Sequence, residues 1–398
     1  MPSYDGGGLL NLMGSIAAAC DTGGLVYPPL AGIDISAWRH ARNLVLILAD
    51  GVGGDFIERT SPDGFLHRHQ VATLTSVCPT TTACAIPTLM TGLPPAGHGL
   101  TGWHVYLEEI HAVAAVLPLT VRGFCLPDGS SLIDADDLYC YPKIYQRLPR
   151  ASHVVTPVKI ADSAFSRIHA AGATLHPYHP VAHPFIEALP FCRRKRDFFG
   201  TLRRACNEPA DRKFVYGYWP DFDSAAHGSG VDSPAAVAKF LDFESRLANF
   251  MDEMRGTDTL VMVTADHGFI DSPSERQVHL DDHVAFGKML SQPICGERRF
   301  AYCYLHPGMQ VDFEDYVNTV FAGRMEAWSR EKLLDEQLLG PGPVNARLAS
   351  RIGDYVLAMK DDWTFVDHEP DMKPIPMIGV HGGLSRQEML VPLCVMTA

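Results

Sequence analysis

Three apolar runs each end on or just before an acid, and this pattern restricts the fold more than any other feature of the sequence. Leu44-Val45-Leu46-Ile47-Leu48-Ala49 stops at Asp50. Phe214-Val215-Tyr216-Gly217-Tyr218-Trp219 stops near Asp221 and Asp223, and Leu260-Val261-Met262-Val263-Thr264-Ala265 stops at Asp266-His267. Continuous runs of this length suit strands buried on both faces, as in a parallel sheet. Open α/β sheets place their sites beyond the carboxyl ends of the strands. Three such strands therefore deliver acids to one edge, and a fourth run, Ile375 to Val380, delivers His381. Helical patterns separate the runs. Ser233-Pro234 is an N-cap signal, after which Phe240, Phe243, Leu247, Phe250 and Met254 step by three and four until Gly256. The alternation predicts an α/β fold with a doubly wound, mostly parallel sheet and helices on both faces.

A chain of 398 residues has room for two to three structural units. The alternation lapses over residues 272–373. A strand candidate spans Phe300 to Leu305, and a helix capped by Asp312 runs toward Leu339. Gly340-Pro341-Gly342-Pro343 breaks it, and another strand candidate spans Tyr355 to Met359. This stretch reads as a smaller α+β lobe inserted into a catalytic core of residues 1–271 and 374–398. The net charge of −13 argues against a nucleic acid polymer as partner, because phosphate contacts need clustered Lys and Arg. Arg193-Arg194-Lys195-Arg196, with Arg203 and Arg204, reads as a solvated helix face rather than a patch for an anionic leaving group. No apolar run approaches the ~18 residues of a membrane span. The ten cysteines form no CxxC pair, and no Lys or Arg precedes the apolar stretch from Leu9 to Cys20. Leu9–Ala19 reads as a short amphipathic helix, and the expected location is cytoplasmic, with reduced thiols. Nothing in the sequence indicates the oligomeric state.

Asp50, Asp223, His227, Asp266, His267 and His381 follow strand candidates or lie just beyond them. Asp and His together suit zinc, with manganese as the alternative. Six ligands exceed one tetrahedral zinc but suit two divalent metal ions, which can clamp the attacking and leaving oxygens of a phosphoryl group. A second signal is the segment Pro79 to Gly92, where Thr80-Thr81-Thr82 precedes a helix expected from Thr82 to just before Gly92. A hydroxyl at a helix start sits in positive potential beside free backbone N–H groups, which suits attack on an anionic phosphorus centre. His176, His179 and His183 are each followed by proline, which spoils a shared helical face, and read as a loop lining the cleft. His98 reads as a turn residue near the site, and His279 and His283 as surface loop positions.

These motifs together resemble the alkaline phosphatase superfamily, nearest its nucleotide pyrophosphatase/type I phosphodiesterase branch. Asp50 in LADGVGG, Thr82 in PTTTACAIPTLMTGLPPAGHG, Asp223 and His227 in DSAAH, Asp266-His267 in ADHG and His381 in HGG fall in that branch's order. The resemblance implies one metal held by Asp50, Thr82, Asp266 and His267, and another held by Asp223, His227 and His381. It also implies Thr82 as nucleophile, with a phosphothreonine intermediate. The branch commonly has Asn three residues after the nucleophile, followed by His, and here those positions are Ala85 and Ile86. The implied activity is metal-dependent cleavage of phosphodiester or pyrophosphate bonds in a small phosphorylated substrate. Phosphomonoester or phosphonate hydrolysis is the chemical alternative, and a non-catalytic phospho-ligand-binding protein is the alternative of another class.

Overall fold

The three apolar runs form adjacent strands of one sheet in the computed structural model, which describes residues 1–22, 25–123, 132–180, 197–367 and 376–398. Asn43–Ala49 lies at the centre, with Lys213–Trp219 on one side and Thr259–Thr264 on the other, both parallel to it. Ala49 pairs with Trp219 and Leu48 with Thr264, so the three carboxyl ends are level. All seven residues of the central strand are buried, as its continuous apolar run requires. Ala151–Pro157 and Ala173–Tyr178 extend the sheet in parallel beyond Lys213–Trp219. On the other flank Leu390–Thr397 runs antiparallel between Thr259–Thr264 and Gln70–Thr75. Helices Thr82–Thr91, Phe198–Asn207 and Pro234–Glu253 share one apolar core with this sheet. The fold is therefore α/β with a large, mostly parallel sheet. Among the described residues no helix is long and apolar enough to cross a membrane.

A second seven-stranded sheet is antiparallel throughout. Met325–Ser329, Tyr355–Met359, Phe300–Cys303 and Cys295–Glu297 come from the stretch 272–373. His104–Leu107, Ala112–Ala115 and Thr120–Val121 come from a segment far earlier in the chain.

Three local expectations need correction. Leu9–Ala19 is a helix, but it is buried on nearly every side rather than amphipathic. Its polar residues are used internally: Asn11 Nδ2 donates to the carbonyls of Tyr4 and Pro28, and Ser15 Oγ accepts from the Leu30 N–H. The run before His381 is not a strand of the main sheet. Only Gly379–Val380 is extended, paired antiparallel with Ile270–Asp271, and Ile375 lies outside the described residues. The helix near Asp312 spans Gln310–Thr319 and stops well short of Leu339. Gly323, at φ +76°, turns the chain into the Met325–Ser329 strand.

Candidate metal centre and nucleophile

Two groups of side chains that could each hold a metal ion form where the three strand ends meet. Asp50, Asp266 and His267 make one, and Asp223, His227 and His381 the other. Within each group one ligand atom per residue lies within 4.8 Å of the others. Asp50 follows the central strand through Gly51, whose φ is +76° and whose Cβ, were there one, would sit 2.4 Å from the Phe269 ring. Only glycine fits that turn. Asp223 and His227 are four apart on the helix Asp221–Ser229, which stacks them on one face. His227 Nε2 lies 3.3 Å and His381 Nε2 4.0 Å from Asp223 Oδ1. His267 Nε2 lies 3.5 Å from both Asp50 Oδ1 and Asp266 Oδ2. The His267 and His381 rings stack at 3.7 Å, so the two groups adjoin.

The hydrogen bonds leave one atom of each residue facing inward. Asp266 Oδ1 accepts from the N–H groups of Gly51 and His267 at 3.1 Å each. Asp50 Oδ2 accepts from the Tyr218 hydroxyl at 2.5 Å. Each imidazole turns Nδ1 to a backbone carbonyl: His267 to Gly268 at 3.0 Å, His227 to Gly379 at 2.9 Å and His381 to Thr80 at 3.1 Å. A carbonyl can only accept, so Nδ1 carries the proton and Nε2 keeps its lone pair. The remaining oxygens, Asp50 Oδ1, Asp223 Oδ1 and Asp266 Oδ2, are buried without a hydrogen-bond partner. Unpaired buried carboxylate oxygens beside unprotonated imidazole nitrogens are costly alone and fit divalent cations. The electrostatics agree. Burial, then the charges of Asp223 and Asp266, holds the Asp50 carboxyl well above the usual carboxylate range. Burial, then His267 and His227, holds His381 well below the usual imidazole range. Burial opposes charge on His227 too, but the Asp223 carboxylate and the Gly379 carbonyl lift it above its ordinary value.

The three threonines before the helix Thr82–Thr91 do different things. Thr80 is structural: its hydroxyl donates to the Gly383 carbonyl at 2.7 Å and accepts from the Gly382 N–H at 3.2 Å. Thr81 occupies the N-cap position. Thr82 opens the helix, and its Oγ1 lies 3.2 Å from His267 Nε2, against the first ligand group.

With this geometry in place, comparison with known proteins is decisive. The family of type I phosphodiesterases and nucleotide pyrophosphatases matches residues 44–384. The chain belongs to that family. This phosphodiesterase-family member is accordingly a hydrolase acting on phosphate esters. No sequence among the curated proteins matches it. Its fold is similar to murine ectonucleotide pyrophosphatase/phosphodiesterase 5, at TM-score 0.61 and 16% identity over 89% of this chain and 87% of that one. Its fold is also similar to phosphonoacetate hydrolase from Sinorhizobium meliloti 1021 in complex with phosphonoformate. There the TM-score is 0.63 and the identity 17%, over 89% and 90% of the two chains.

A cavity of about 900 Å³ opens from the two ligand groups and is lined by residues of both sheets. Ile86 lines it, whereas Ala85 is wholly buried in the helix. Three contributors escaped the sequence. Tyr218 donates to Asp50, yet it lies inside an apolar run where its hydroxyl gives no signal. Glu297 ends a three-residue strand of the second sheet and enters the cavity. Burial pushes its carboxyl up to about 7, opposed by the neighbouring Thr81 hydroxyl and by the Trp103 N–H. The buried pair Arg299–Glu388, at 2.8 Å, fixes the loop after His381, because Glu388 Oε1 also accepts from the Gly383 N–H at 2.7 Å.

Several histidines lie apart from the centre. His98 is buried and bonds Thr88 Oγ1 and the Cys84 carbonyl. His176 lies in the strand Ala173–Tyr178, not in a loop along the cleft, and its Nε2 meets His153 Nδ1 at 2.9 Å. Proline at 177 is tolerated because this is the edge strand of the sheet. His179 is absent from the cavity wall, as are His279 and His283, and His283 Nδ1 meets the Tyr316 hydroxyl. Arg203 pairs with Glu253 and Arg204 with Thr201. His183 and Arg193-Arg194-Lys195-Arg196 lie outside the described residues.

Proposed function

We propose that this chain hydrolyses phosphodiester or pyrophosphate bonds of a small phosphorylated substrate through a phosphothreonine at Thr82. One observation carries the reading. Of the three threonines, Thr82 alone presents its hydroxyl to the Asp50, Asp266 and His267 group, while the Thr80 hydroxyl is engaged in holding a loop. A threonine-to-alanine variant of the murine relative is described as inactive and in complex with AMP, which supports both a threonine role and a nucleotide-sized substrate here.

Asp50, Thr82, Asp266 and His267 would hold one divalent ion, and Asp223, His227 and His381 the other, with zinc the fit for the nitrogen and oxygen donors. Such ions would lower the pKa of the attacking hydroxyl and offset the charge of the phosphoryl oxygens. The chain's own residues do the rest. Thr82 Oγ1 attacks phosphorus, the bond to the leaving oxygen breaks, and the Thr82 proton passes to solvent in the cavity. The Cys84 and Ala85 N–H groups are taken by the Thr81 carbonyl, which leaves those of Thr82 and Ala83 at the helix start to donate to phosphoryl oxygens. Tyr218 keeps Asp50 oriented, and the three Nδ1–H donors keep the imidazoles from rotating. Water then cleaves the phosphothreonine and restores Thr82.

A second reading, phosphonate hydrolysis, is favoured by Lys159 and Arg298, which line the cavity and suit a further anionic group on the substrate. The cytoplasmic placement is also part of this proposal. It is supported by the eight cysteines among the described residues, all unpaired and all but Cys140 buried. The test of function is single-turnover reaction of metal-loaded protein with a labelled aryl phosphodiester and with a phosphonate, followed by acid quench and peptide mapping. Label on Thr82 from the diester is expected. Label elsewhere, or none during turnover, excludes the proposed intermediate.

A further inference from the structure

Two polar groups beside Thr82 are left unused by this mechanism. The Thr81 carbonyl accepts from the N–H groups of Cys84 and Ala85, at 3.0 and 2.9 Å, but its side chain makes no capping bond. Thr81 is 1% exposed, and its hydroxyl lies near the Glu297 carboxyl without closing a hydrogen bond of normal geometry. A buried hydroxyl without a partner is costly and asks for an explanation. Thr81 lines the same cavity as Thr82, so a ligand in that cavity can supply the partner.

Glu297 faces Thr81 from the second sheet. Its Oε1 accepts from the Trp103 N–H at 2.6 Å. Its backbone seat is close to the loop after His381: a Cβ built on Gly382 would lie 2.6 Å from Glu297 Cβ. The carboxyl is thus clamped between Trp103 and Gly382, inside the cavity that Thr82 lines. A carboxylate there works against any ligand that brings excess negative charge to the same spot.

We propose that Thr81 and Glu297 select the charge of the phosphoryl group: Thr81 Oγ1 donates to a non-bridging oxygen, and Glu297 disfavours a terminal phosphoryl dianion. Diesters and internal pyrophosphate phosphorus atoms carry one negative charge and are accepted, whereas monoesters carry two and are disfavoured. Glu297 is a specificity residue rather than a participant in bond making. The inference rests on the reading that Thr82 attacks phosphorus in this cavity.

The test compares methyl p-nitrophenyl phosphate with p-nitrophenyl phosphate, which share a leaving group and differ by one methyl and one charge. Assays run at about pH 8.5, where Glu297 is ionised. Glu297→Gln keeps the acceptor for the Trp103 N–H and removes only the charge. It is expected to raise the monoester-to-diester ratio of kcat/KM by about tenfold or more, with metal content unchanged. Glu297→Ala should shift the ratio in the same direction, and stands in if the Gln variant does not fold. Thr81→Val should lower kcat/KM on both esters by about a hundredfold. Inorganic phosphate, a dianion at this pH, should bind Glu297→Gln about tenfold more tightly than wild type by calorimetry of metal-loaded protein. That readout decides even if neither ester is turned over. A ratio and a phosphate affinity both within about twofold of wild type overturn the role of Glu297, and unaltered turnover in Thr81→Val overturns that of Thr81. Thr82→Ala tests the underlying reading separately: retained turnover there defeats the nucleophile and leaves the Glu297 measurements to be judged alone.

Discussion

At the scale of single residues, the proposed metal centre depends on hydrogen bonds that leave one atom of each candidate ligand free. Thr82→Ala should lower turnover by about three orders of magnitude or more while both metals stay bound, as steady-state rates and elemental analysis would record. Thr80→Ala should instead act through the loop at Gly382 and Gly383, with a smaller loss of rate and a lower melting temperature. Tyr218→Phe removes the donor to Asp50 Oδ2 and is expected to weaken metal affinity by about 10- to 100-fold, with activity recovered by added zinc. The raised Asp50 carboxyl has a pH consequence whose sign is fixed. Without metal, the folded protein keeps the Asp50 proton above the usual carboxylate range, so stability from this group is present in acid and lost as pH rises. Metal binding must displace that proton, so affinity falls as pH falls through the raised value. The gain in melting temperature on adding zinc should therefore be larger at about pH 8 than at about pH 5. At this scale Asp50, Asp266 and His267 were legible because each directly ends an apolar run. Tyr218 and Glu297 were not, since neither chain position nor residue type distinguishes them from neighbours that pack.

At the scale of elements, legibility followed the range of the interactions. The strands Asn43–Ala49, Lys213–Trp219 and Thr259–Thr264 announce themselves because burial on both faces demands unbroken apolar sequence. The helix Pro234–Glu253 does so through Ser233, whose hydroxyl accepts from the Ala236 N–H. The helix Leu9–Ala19 looks amphipathic in sequence because its polar side chains meet backbone groups of the flanking segments, at Tyr4, Pro28 and Leu30, which no local pattern reveals. The loop carrying His381 is likewise held from afar. Arg299 and Glu388 are almost fully buried, and Glu388 bonds both Arg299 and Gly383. Arg299→Met would leave the Glu388 carboxylate buried and uncompensated, at a cost of about 3–5 kcal/mol in urea unfolding. If Asp223, His227 and His381 hold an ion as proposed, the loosened loop should release it before the other, which metal titration against a chelator would detect.

At the scale of the molecule, the two sheets share segments in a way the order of motifs did not disclose. His104–Val121 completes the antiparallel sheet whose other strands lie after residue 290. Residues 274–371 therefore cannot be exchanged for a short linker without exposing the edge at His104–Leu107. We expect such a deletion to give insoluble protein, scored by the soluble fraction on expression. A soluble, metal-binding product would show that the core is self-sufficient. The main sheet has a related dependence. Leu390–Thr397 fills the slot between Gln70–Thr75 and Thr259–Thr264, so a strand made after both of its neighbours sits between them. A chain growing from the ribosome holds that slot open until residues 390–397 have emerged. During that interval two strand edges offer unpaired backbone groups to any extended segment nearby, including the same segment of another nascent copy. Exchange of Leu390–Thr397 between neighbouring chains on one message is the hazard this strand order carries.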